Sequence, residues 1–181
     1  YIPLYQLSKQ FPKIKTIYSN NLFFKDLIKF QINDPLKEIE LSKEIKKLGN
    51  FEDNISKKVK TMYEENPYPR WCYENPFYQQ KFNIKEVINP EIKPNFIPFF
   101  PNLSKPKILI AGCGTGKHIF IAQKYKNAEI TAIDLSLSSL SYAKRKLIEY
   151  KINNVELINI DILNVPLINK KFDVIECCGV L

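Results

Sequence analysis

The spacing of hydrophobic residues changes along the chain, from helical periodicity in the N-terminal part to short continuous apolar runs in the C-terminal part. In the N-terminal part we predict a helix with Asp34 as its N-cap, Pro35 as its first residue and Gly49 as its stop. Its apolar stripe would consist of Leu36, Ile39, Leu41, Ile45 and Leu48. A second helix is predicted over residues 54–65, because Asn66 precedes a proline and is pushed out of the helical region.

Residues 66–104 are rich in proline and aromatic residues, as in "NPYPRWCYENPFYQQ" and "KPNFIPFFPNLSKP". So many prolines prevent a long regular element, while the aromatic content argues against a disordered linker. We therefore expect an ordered, irregular layer packed onto a domain. Within it, Tyr68, Arg70 and Trp71 are candidates for a lid over a site, and simple packing of Trp71 onto the sheet is the alternative.

Four short apolar runs follow, separated in part by helical patterns. The predicted strands are "KILIAG", "AEITAIDLS", "NVELINIDI" and "KFDVIECCGV", and the predicted helices are "GTGKHIFIAQKYKN" and "SLSSLSYAKRKLIEYK". This order predicts an α/β fold with an open parallel sheet and crossover helices. The chain then divides into a helical segment (1–65), a connecting and possible lid region (66–104) and a sheet domain (105–181).

A glycine-rich loop, "AGCGTG", directly follows the first predicted strand. Gly112, Gly114 and Gly116 permit a tight turn and let a ligand approach the backbone closely. Asp134 ends the second strand, where an acidic residue can accept hydrogen bonds from both hydroxyls of a ribose. Asp161 ends the third strand at the same edge of the sheet. These features together predict a nucleoside-binding site.

Simpler roles remain open for several of these residues. Asp134 could be only the N-cap of the following helix, and Asp161 only a turn residue. His118, the single histidine, suits a partly buried surface position better than a catalytic one. Cys113 is interpreted as a small side chain beneath the loop and not as a nucleophile.

The spacing of the loop discriminates between nucleoside cofactors. A dinucleotide fingerprint, GxGxxG, requires glycine at position 117, where this chain has Lys117. An acidic residue after the third strand suits a base whose amino group needs an acceptor. These two features favour S-adenosylmethionine over NAD.

The segments "ILIAGCGTGKH", "AIDLS", "NIDI" and "FDVIECCGVL" resemble class I S-adenosylmethionine-dependent methyltransferases over about residues 105–181. The resemblance implies a Rossmann-like fold and methyl transfer to a protein or small-molecule acceptor. It also implies cofactor contacts from Gly112, Cys113, Gly114, Gly116, Asp134, Leu135, Asp161, Ile162, Cys177 and Cys178, the two cysteines mainly through backbone atoms. The methyl acceptor and a catalytic base are not assigned by it.

With "YEENPYPRW" and "AIDLSLSSLSYAKRK" included, the chain resembles the methyltransferase half of bacterial proteins that join tetratricopeptide repeats to such a domain. In those proteins the repeats lie upstream and could bind a protein partner. Residues 1–60 show no repeat signature, the chain does not begin with methionine, and the sequence stops after the fourth predicted strand. We therefore expect a fragment of a longer protein, with the sheet truncated at that strand.

Charge and cysteine content narrow the choice of partners. The net charge is +8, but nearly all of it is lysine, since Arg70 and Arg145 are the only arginines. Readers of phosphate and bases favour arginine, so a nucleic-acid partner is not expected. The four cysteines form neither a metal-binding motif nor a disulfide framework, and reduced cysteines fit a cytoplasmic protein. No apolar run is long enough to cross a bilayer, so we expect no membrane partner.

Two other functions compete with that of a methyltransferase for a protein or small molecule. A nucleic-acid base methyltransferase would need an Asn-Pro-Pro-Tyr motif, which Asn66-Pro67-Tyr68-Pro69 breaks. An inactive scaffold module of the same fold is the alternative from another class, since folds outlast their chemistry. Loss of the glycine loop or of Asp134 would favour the scaffold, and this chain retains both.

Overall fold

The structure is a computed structural model that describes residues 2–72, 80–99, 101 and 103–180. Part of the predicted aromatic layer, residues 73–79, lies outside this set. The helices are α1 (Leu4–Gln10), α2 (Leu22–Ile28), α3 (Asp34–Ser42), α4 (Asn54–Glu65), α5 (Ile84–Glu91), α6 (Lys117–Ala122) and α7 (Leu137–Glu149). The strands are β1 (Lys46–Lys47), β2 (Lys107–Ala111), β3 (Glu129–Asp134), β4 (Val155–Asn159) and β5 (Val174–Cys177). A π-helical turn (Lys29–Asn33) and 3-10 helices (Pro12–Thr16, Ile162–Ile168) complete the regular structure described.

The strands form one parallel sheet in the order β1-β4-β3-β2-β5. Helices α6 and α7 are the crossovers from β2 to β3 and from β3 to β4. The chain then passes from β4 at one side of β2 to β5 at the other side. This arrangement confirms the predicted α/β class, a Rossmann-like open parallel sheet with an N-terminal helical segment.

The two faces of the sheet are covered differently. One face packs against α5, α6 and α7, and its core includes Ile108, Ile110, Phe120, Leu140 and Leu147. The other face carries a smaller core, formed by Leu109, Ala111, Ile133, Ile158, Ile160 and Ile168, under the 3-10 helix that follows β4. Burial on both faces explains why β2, β3 and β4 read as continuous apolar runs.

The predicted helix over residues 35–48 is wrong at both ends. Asp34 is not an N-cap, because the π-helical turn before it continues directly into α3. At the other end α3 stops at Ser42, and the chain adds β1 to the free edge of β4. Backbone pairing at this edge overrides the helical periodicity, and it leaves Ile45 buried in the main core.

The bounds of α4, α5 and α6 agree with the sequence-based predictions to different degrees. Helix α4 occupies the predicted residues 54–65, with Asp53 accepting hydrogen bonds from two backbone N–H groups of its first turn. Helix α6 ends at Ala122, earlier than predicted. The sequence pattern did not predict α5, which forms inside the proline-rich region because Asn83 and Glu86 make a reciprocal capping box. None of the helices in the described ranges is long and apolar enough to span a membrane.

A cluster of charged and aromatic side chains joins α3 to α7, and we call it the arginine cluster: Glu38, Arg70, Tyr142 and Arg145. The Nη2 of Arg70 donates to both Glu38 carboxylate oxygens at 3.1 Å, and the Nε of Arg145 donates to one of them at 2.9 Å. Both guanidinium carbons lie 4.8 Å from the centre of the Tyr142 ring. Arg145 also pairs with Asp34 at 3.2 Å. Both arginines of the chain are therefore engaged within the protein.

The segment next to Arg70 is held by the same face of α7. The Tyr142 hydroxyl donates to the carbonyl of Trp71, and the ammonium of Lys146 donates to the carbonyl of Cys72 at 2.7 Å. Burial raises the pKa of Tyr142 to about 12, so its hydroxyl stays a neutral donor. Residues 70–72 are thus fixed to α7 one after another.

The arginine cluster predicts a large stability effect for Glu38→Gln. This change leaves the buried Arg145 without its nearest carboxylate, although Asp34 and Glu149 remain close. We expect the free energy of unfolding to fall by about 3 kcal/mol, as measured by urea denaturation. The matched control is Glu40→Gln on the same helix, whose side chain is 68% exposed, and there we expect a loss below about 0.5 kcal/mol. Equal losses in the two variants would contradict the proposed contribution of the arginine cluster to the free energy of unfolding.

Candidate cofactor site

A cavity of about 490 Å³ opens at the carboxyl ends of β2 and β3. It lies where the chain switches from one side of β2 to the other, which is where open α/β sheets bind ligands. Its walls come from the glycine loop, the ends of β3 and β4, helix α4 and the segment after β5. The residues that line it include Val59, Met62, Tyr63, Tyr68, Pro69, Gly112, Cys113, Gly114, Thr115, Lys117, His118, Asp134, Leu135, Ser139, Ile160, Ile162, Cys178 and Val180.

The glycine loop is shaped by bonds to β3. The backbone N–H groups of Gly112 and Cys113 both donate to the carbonyl of Ile133 at 2.9 Å. Gly116 has a positive φ of 94° at the start of α6, and a Cβ there would lie 2.9 Å from the Cβ of Ala143. At Gly114, by contrast, the nearest atom to an added Cβ is the Tyr68 carbonyl oxygen at 4.0 Å. This face of the loop therefore borders the cavity itself.

Asp134 connects the loop to the end of β3. One carboxylate oxygen accepts from the Gly114 N–H at 2.7 Å, and the other accepts from the Ser136 N–H at 2.8 Å. Burial raises the pKa of Asp134, and the two N–H donors oppose that shift only in part. The sequence-based prediction missed Asn159, whose side-chain amide donates to the carbonyls of Asp134 and Leu135 at 3.0 and 2.8 Å. Its position at the end of a predicted strand was the available signal.

The structure places seven of the ten predicted cofactor residues in the wall of the cavity, and Gly116, Asp161 and Cys177 outside it. The cavity is lined by Gly112, Cys113, Gly114, Asp134, Leu135, Ile162 and Cys178, whereas Gly116 packs against Ala143 of α7. Asp161 is 2% exposed and accepts from the Leu163 N–H at 3.0 Å, so its carboxylate caps the 3-10 helix and does not line the cavity. Cys177 is exposed on β5 and also does not line the cavity.

The three lid candidates occupy three different environments. Tyr68 lines the cavity and is 76% exposed, as a residue at its mouth would be. Arg70 belongs to the arginine cluster and does not line the cavity. Trp71 packs edge-on against Phe120 and contacts the main core, which agrees with the packing alternative. Of the three, only Tyr68 lies where it could cover a ligand.

Thr115 ties the lid segment to the glycine loop. Its hydroxyl donates to the carbonyl of Pro69 at 2.6 Å, and its own carbonyl accepts from the Trp71 indole N–H at 3.2 Å. Thr115 is fully buried, so these two bonds are shielded from water. Residues 69–71 are therefore joined directly to the loop.

Helix α4 forms a wall of the cavity that the sequence-based prediction did not anticipate. Val59, Met62 and Tyr63 line the cavity. The helix is tied to α7 through Glu64, whose carboxylate accepts from the Leu137 N–H at 2.6 Å and the Ser138 N–H at 3.0 Å. Glu64 thus satisfies first-turn donors of α7 that a helix leaves unpaired.

The remaining polar groups at the cavity differ in what they can do. Burial, with the nearby Asp134 carboxylate, raises the pKa of the Cys113 thiol, so it stays protonated and is a poor nucleophile. His118 lines the cavity and is half-buried, and Lys117 lines it while exposed to solvent. No group of three or more His, Cys, Asp or Glu side chains able to hold a metal ion occurs among the described residues.

The walls of the cavity fit a nucleoside. The Asp134 carboxylate supplies an acceptor, Leu135, Ile160 and Ile162 supply apolar surface beside it, and Gly114 leaves the adjacent space open. The hydroxyl oxygen of Ser139 in the same wall is buried without a hydrogen-bond partner among the described residues. An acceptor next to apolar walls suits a ribose and its base.

Residues 108–181 match the family model of a methyltransferase domain. An uncharacterised protein of Rickettsia prowazekii is 32% identical over 129 residues, which is 70% of this chain and 48% of that protein. An uncharacterised protein of Synechococcus is 28% identical over 134 residues, which is 71% of this chain and 31% of that protein. The chain thus spans less than half the length of either relative.

Among solved structures, PKMT2 of Rickettsia typhi in complex with AdoHcy is 38% identical, with a TM-score of 0.40. The match covers 44% of this chain and 16% of PKMT2. The part of the chain from β2 onward is therefore similar to methyltransferase domains, in agreement with the resemblance in sequence. The link to tetratricopeptide repeats stays a prediction.

The hydrogen bonds from the first turn of α7 to the Glu64 carboxylate predict that a substitution of Glu64 destabilises the protein and that one at the next residue does not. Glu64→Ala removes the carboxylate from the first turn of α7, and we expect the free energy of unfolding to fall by about 1.5 kcal/mol in urea denaturation. The control is Glu65→Ala, because Glu65 is the next residue and is exposed. There we expect a change within about 0.5 kcal/mol. A Glu64→Ala variant as stable as this control would show that the hydrogen bonds between Glu64 and α7 do not stabilise the protein.

Proposed function

We propose that this chain is part of an S-adenosylmethionine-dependent methyltransferase that acts on a protein or a small molecule. The observation that carries the proposal is the position of the Asp134 carboxylate, which lines the cavity beside the glycine loop. It supports the proposal because it lies in a domain that matches a methyltransferase family. The cavity lies at the edge of the sheet where such a domain needs its cofactor.

The cofactor would be held by residues from several elements. Asp134 would accept from the ribose hydroxyls while it keeps its bonds to the loop. Leu135, Ile160 and Ile162 would enclose the base, and the open face of Gly114 would admit the rest of the molecule. Asp161 would act through its cap of the 3-10 helix, which places Ile162, and not through a direct contact.

When bound, S-adenosylmethionine supplies a methyl group that its sulfonium already activates for transfer. The chain's own residues then have to orient the ligand and exclude water. Tyr63 and Met62 from α4, Tyr68 from the lid segment and Val180 after β5 line the cavity and would exclude water there. The buried, protonated Cys113 is not suited to accept a proton, and we assign no general base.

The arrangement of charge supports an acceptor other than nucleic acid. Arg70 and Arg145, the two arginines, are both bound to Glu38 within the arginine cluster, so they are not free to read phosphates or bases. Asn66, the first residue of the broken base-gripping motif, ends α4 and does not line the cavity. We extend the proposal to a cytoplasmic enzyme whose protein partner is engaged through repeats upstream of this chain.

Isothermal titration calorimetry tests the cofactor assignment. We expect S-adenosylmethionine and its product S-adenosylhomocysteine to bind and NADH not to bind, since Lys117 replaces the last glycine of a dinucleotide fingerprint. Binding of NADH alone would overturn the proposal. Binding of S-adenosylmethionine with no methyl transfer to any acceptor, tested on the longest available form of the protein, would favour the scaffold alternative.

Two aspartate variants separate the proposed roles of the strand ends. Asp134→Ala removes the ribose acceptor, and we expect the Kd for S-adenosylhomocysteine to rise more than about tenfold by calorimetry. Asp161→Ala is the control, since it removes a helix cap that does not line the cavity. There we expect a loss of about 1 kcal/mol in stability and a Kd within about threefold of wild type. A stronger effect at Asp161 than at Asp134 would mean that the ribose end is misassigned.

The raised pKa of Asp134 predicts how binding depends on pH. Folding favours the protonated acid here, so its contribution to stability is present at acid pH and is lost as the pH rises through the folded pKa. Ribose binding needs the ionised acceptor, so affinity should have the opposite trend and fall on acidification. We expect calorimetry with methylthioadenosine, which carries the ribose but no amino-acid tail, to show this fall between neutral pH and acid unfolding. In Asp134→Asn the affinity should be weak and nearly independent of pH, and an equally steep fall in that variant would contradict the assignment.

A further inference from the structure

A second cavity, of about 440 Å³, lies between the N-terminal helices and the start of α7. Its walls include residues of α3, the end of α4 and the first two turns of α7. The residues described for it differ from those of the cofactor cavity, although Pro67 and Arg70 line the second cavity while Tyr68 and Pro69 line the first. Because its volume lies within the ~300–1,000 Å³ typical of small-molecule sites, the second cavity is large enough for an organic ligand.

The wall of the second cavity has the opposite charge to the chain as a whole. The chain carries a net charge of +8, whereas the described residues of this wall include three glutamates, one arginine and no lysine. The arginine, Arg70, is already bound to Glu38 at 3.1 Å. Among the described residues, no hydrogen bond or ion pair engages the carboxylate of Glu65. The cavity therefore attracts a cation, and it offers Glu65 as a free counter-charge.

The serine hydroxyls of this wall are available to a ligand as hydrogen-bond acceptors. Their protons are donated within the protein: from Ser42 to the Ile39 carbonyl at 2.8 Å, from Ser141 to the Leu137 carbonyl at 2.7 Å and from Ser138 to the Glu64 carboxylate at 2.6 Å. A hydroxyl has one proton and two lone pairs, so each of these oxygens can still accept from an outside donor. Ionised carboxylates are likewise acceptors only. The wall therefore complements a ligand that carries N–H groups.

These acceptors belong to three different helices. Glutamate and serine side chains line the cavity from α3 and α7, and Glu65 lines it from α4. Ile39 and Leu137 add apolar surface to the same wall, and Tyr5 and Phe30 add aromatic rings, which attract cations. A flexible ligand with several ammonium groups joined by methylene chains satisfies acceptors on separate helices and also contacts the apolar surface. A compact metal ion offers neither the N–H donors nor the methylene groups.

We propose that the second cavity is a binding site for a linear polyamine, which holds α3, α4 and α7 together. Glu65 supplies the free charge, the serine oxygens supply further acceptors, and the apolar and aromatic side chains contact the methylene groups. Because the site joins elements that separate on unfolding, the polyamine stabilises the folded chain by mass action. The inference does not depend on the proposed function, since the residues described for the two cavities do not overlap.

Spermidine is the probe that tests this site. Calorimetry on the chain of residues 1–181 should show that spermidine binds, and thermal melting should show a midpoint that rises with its concentration. Glu65→Gln removes the free charge, and we expect the Kd for spermidine to rise more than about threefold. Glu65→Lys reverses that charge, and there we expect a rise of more than about tenfold. Because Glu65 is exposed, both variants should melt like wild type when no ligand is added.

Three controls separate this cavity from other modes of binding. Glu40→Gln removes a carboxylate of α3 that is 68% exposed and does not line the cavity, and this variant should bind spermidine as wild type does. Mg²⁺ at the same ionic strength carries charge but no N–H donors, and it should not displace spermidine. Saturating S-adenosylhomocysteine should leave the Kd for spermidine within about twofold, because it would occupy the other cavity.

Several outcomes would overturn the polyamine site. Wild type that does not bind spermidine rejects it, and so does a Glu65→Lys variant that binds spermidine as tightly as wild type. Equal weakening in Glu40→Gln, or displacement by Mg²⁺, would mean attraction to surface charge and not a site in the cavity. Loss of spermidine binding under saturating S-adenosylhomocysteine would place the polyamine in the cofactor cavity. None of these outcomes bears on the cofactor assignment, which the separate titration with S-adenosylmethionine tests.

Discussion

The shared use of Glu38 by Arg70 and Arg145 is the interaction on which the remaining architecture depends. It joins α3 and Arg70 to α7, and Tyr142 and Lys146 of the same helix hold the next two carbonyls, those of Trp71 and Cys72. Because this segment is fixed, the carbonyl of Pro69 and the indole of Trp71 are presented to Thr115 in the glycine loop. The N-terminal helical segment is therefore structurally continuous with the cofactor site. A buried ion pair of this kind costs desolvation, and its value here lies in the placement that it enforces.

The second constraint on the structure is the set of hydrogen bonds that the Asp134 carboxylate accepts. It holds the Gly114 N–H and the Ser136 N–H, and in the proposed function it also accepts from the ligand. A carboxylate has enough lone pairs for both tasks, so ligand binding need not break the loop. Burial keeps the pKa of Asp134 raised, and the two N–H donors limit that rise. The loop geometry and the acceptor strength of the site are thus linked through one side chain.

The sheet domain could be predicted closely because its signals are local. The strands β2 to β5 were found from continuous apolar runs, and the glycine loop and Asp134 from their positions at strand ends. The prediction of a helix to Leu48 failed because the pairing of β1 with β4 joins segments that are far apart in sequence. The Asp161 carboxylate was expected to contact the cofactor, but in the structure it accepts from the Leu163 N–H and does not line the cavity. A strand-end position does not reveal whether a side chain turns into the cavity or back onto its own turn.

The sequence by itself determined the class of the fold, the edge of the sheet at which the cavity opens, and the presence of Asp134, Gly112 and Gly114 at that edge. All of these follow from periodicity and from residues adjacent in the chain. Only the tertiary structure decided that Trp71 packs into the core while Tyr68 lines the cavity, that α4 forms a wall, and that Lys117 and His118 face the same space as Asp134. These placements depend on contacts between distant segments, such as Glu64 with α7 and Arg70 with Glu38. Their energies are set by burial and partner geometry, which no local pattern encodes.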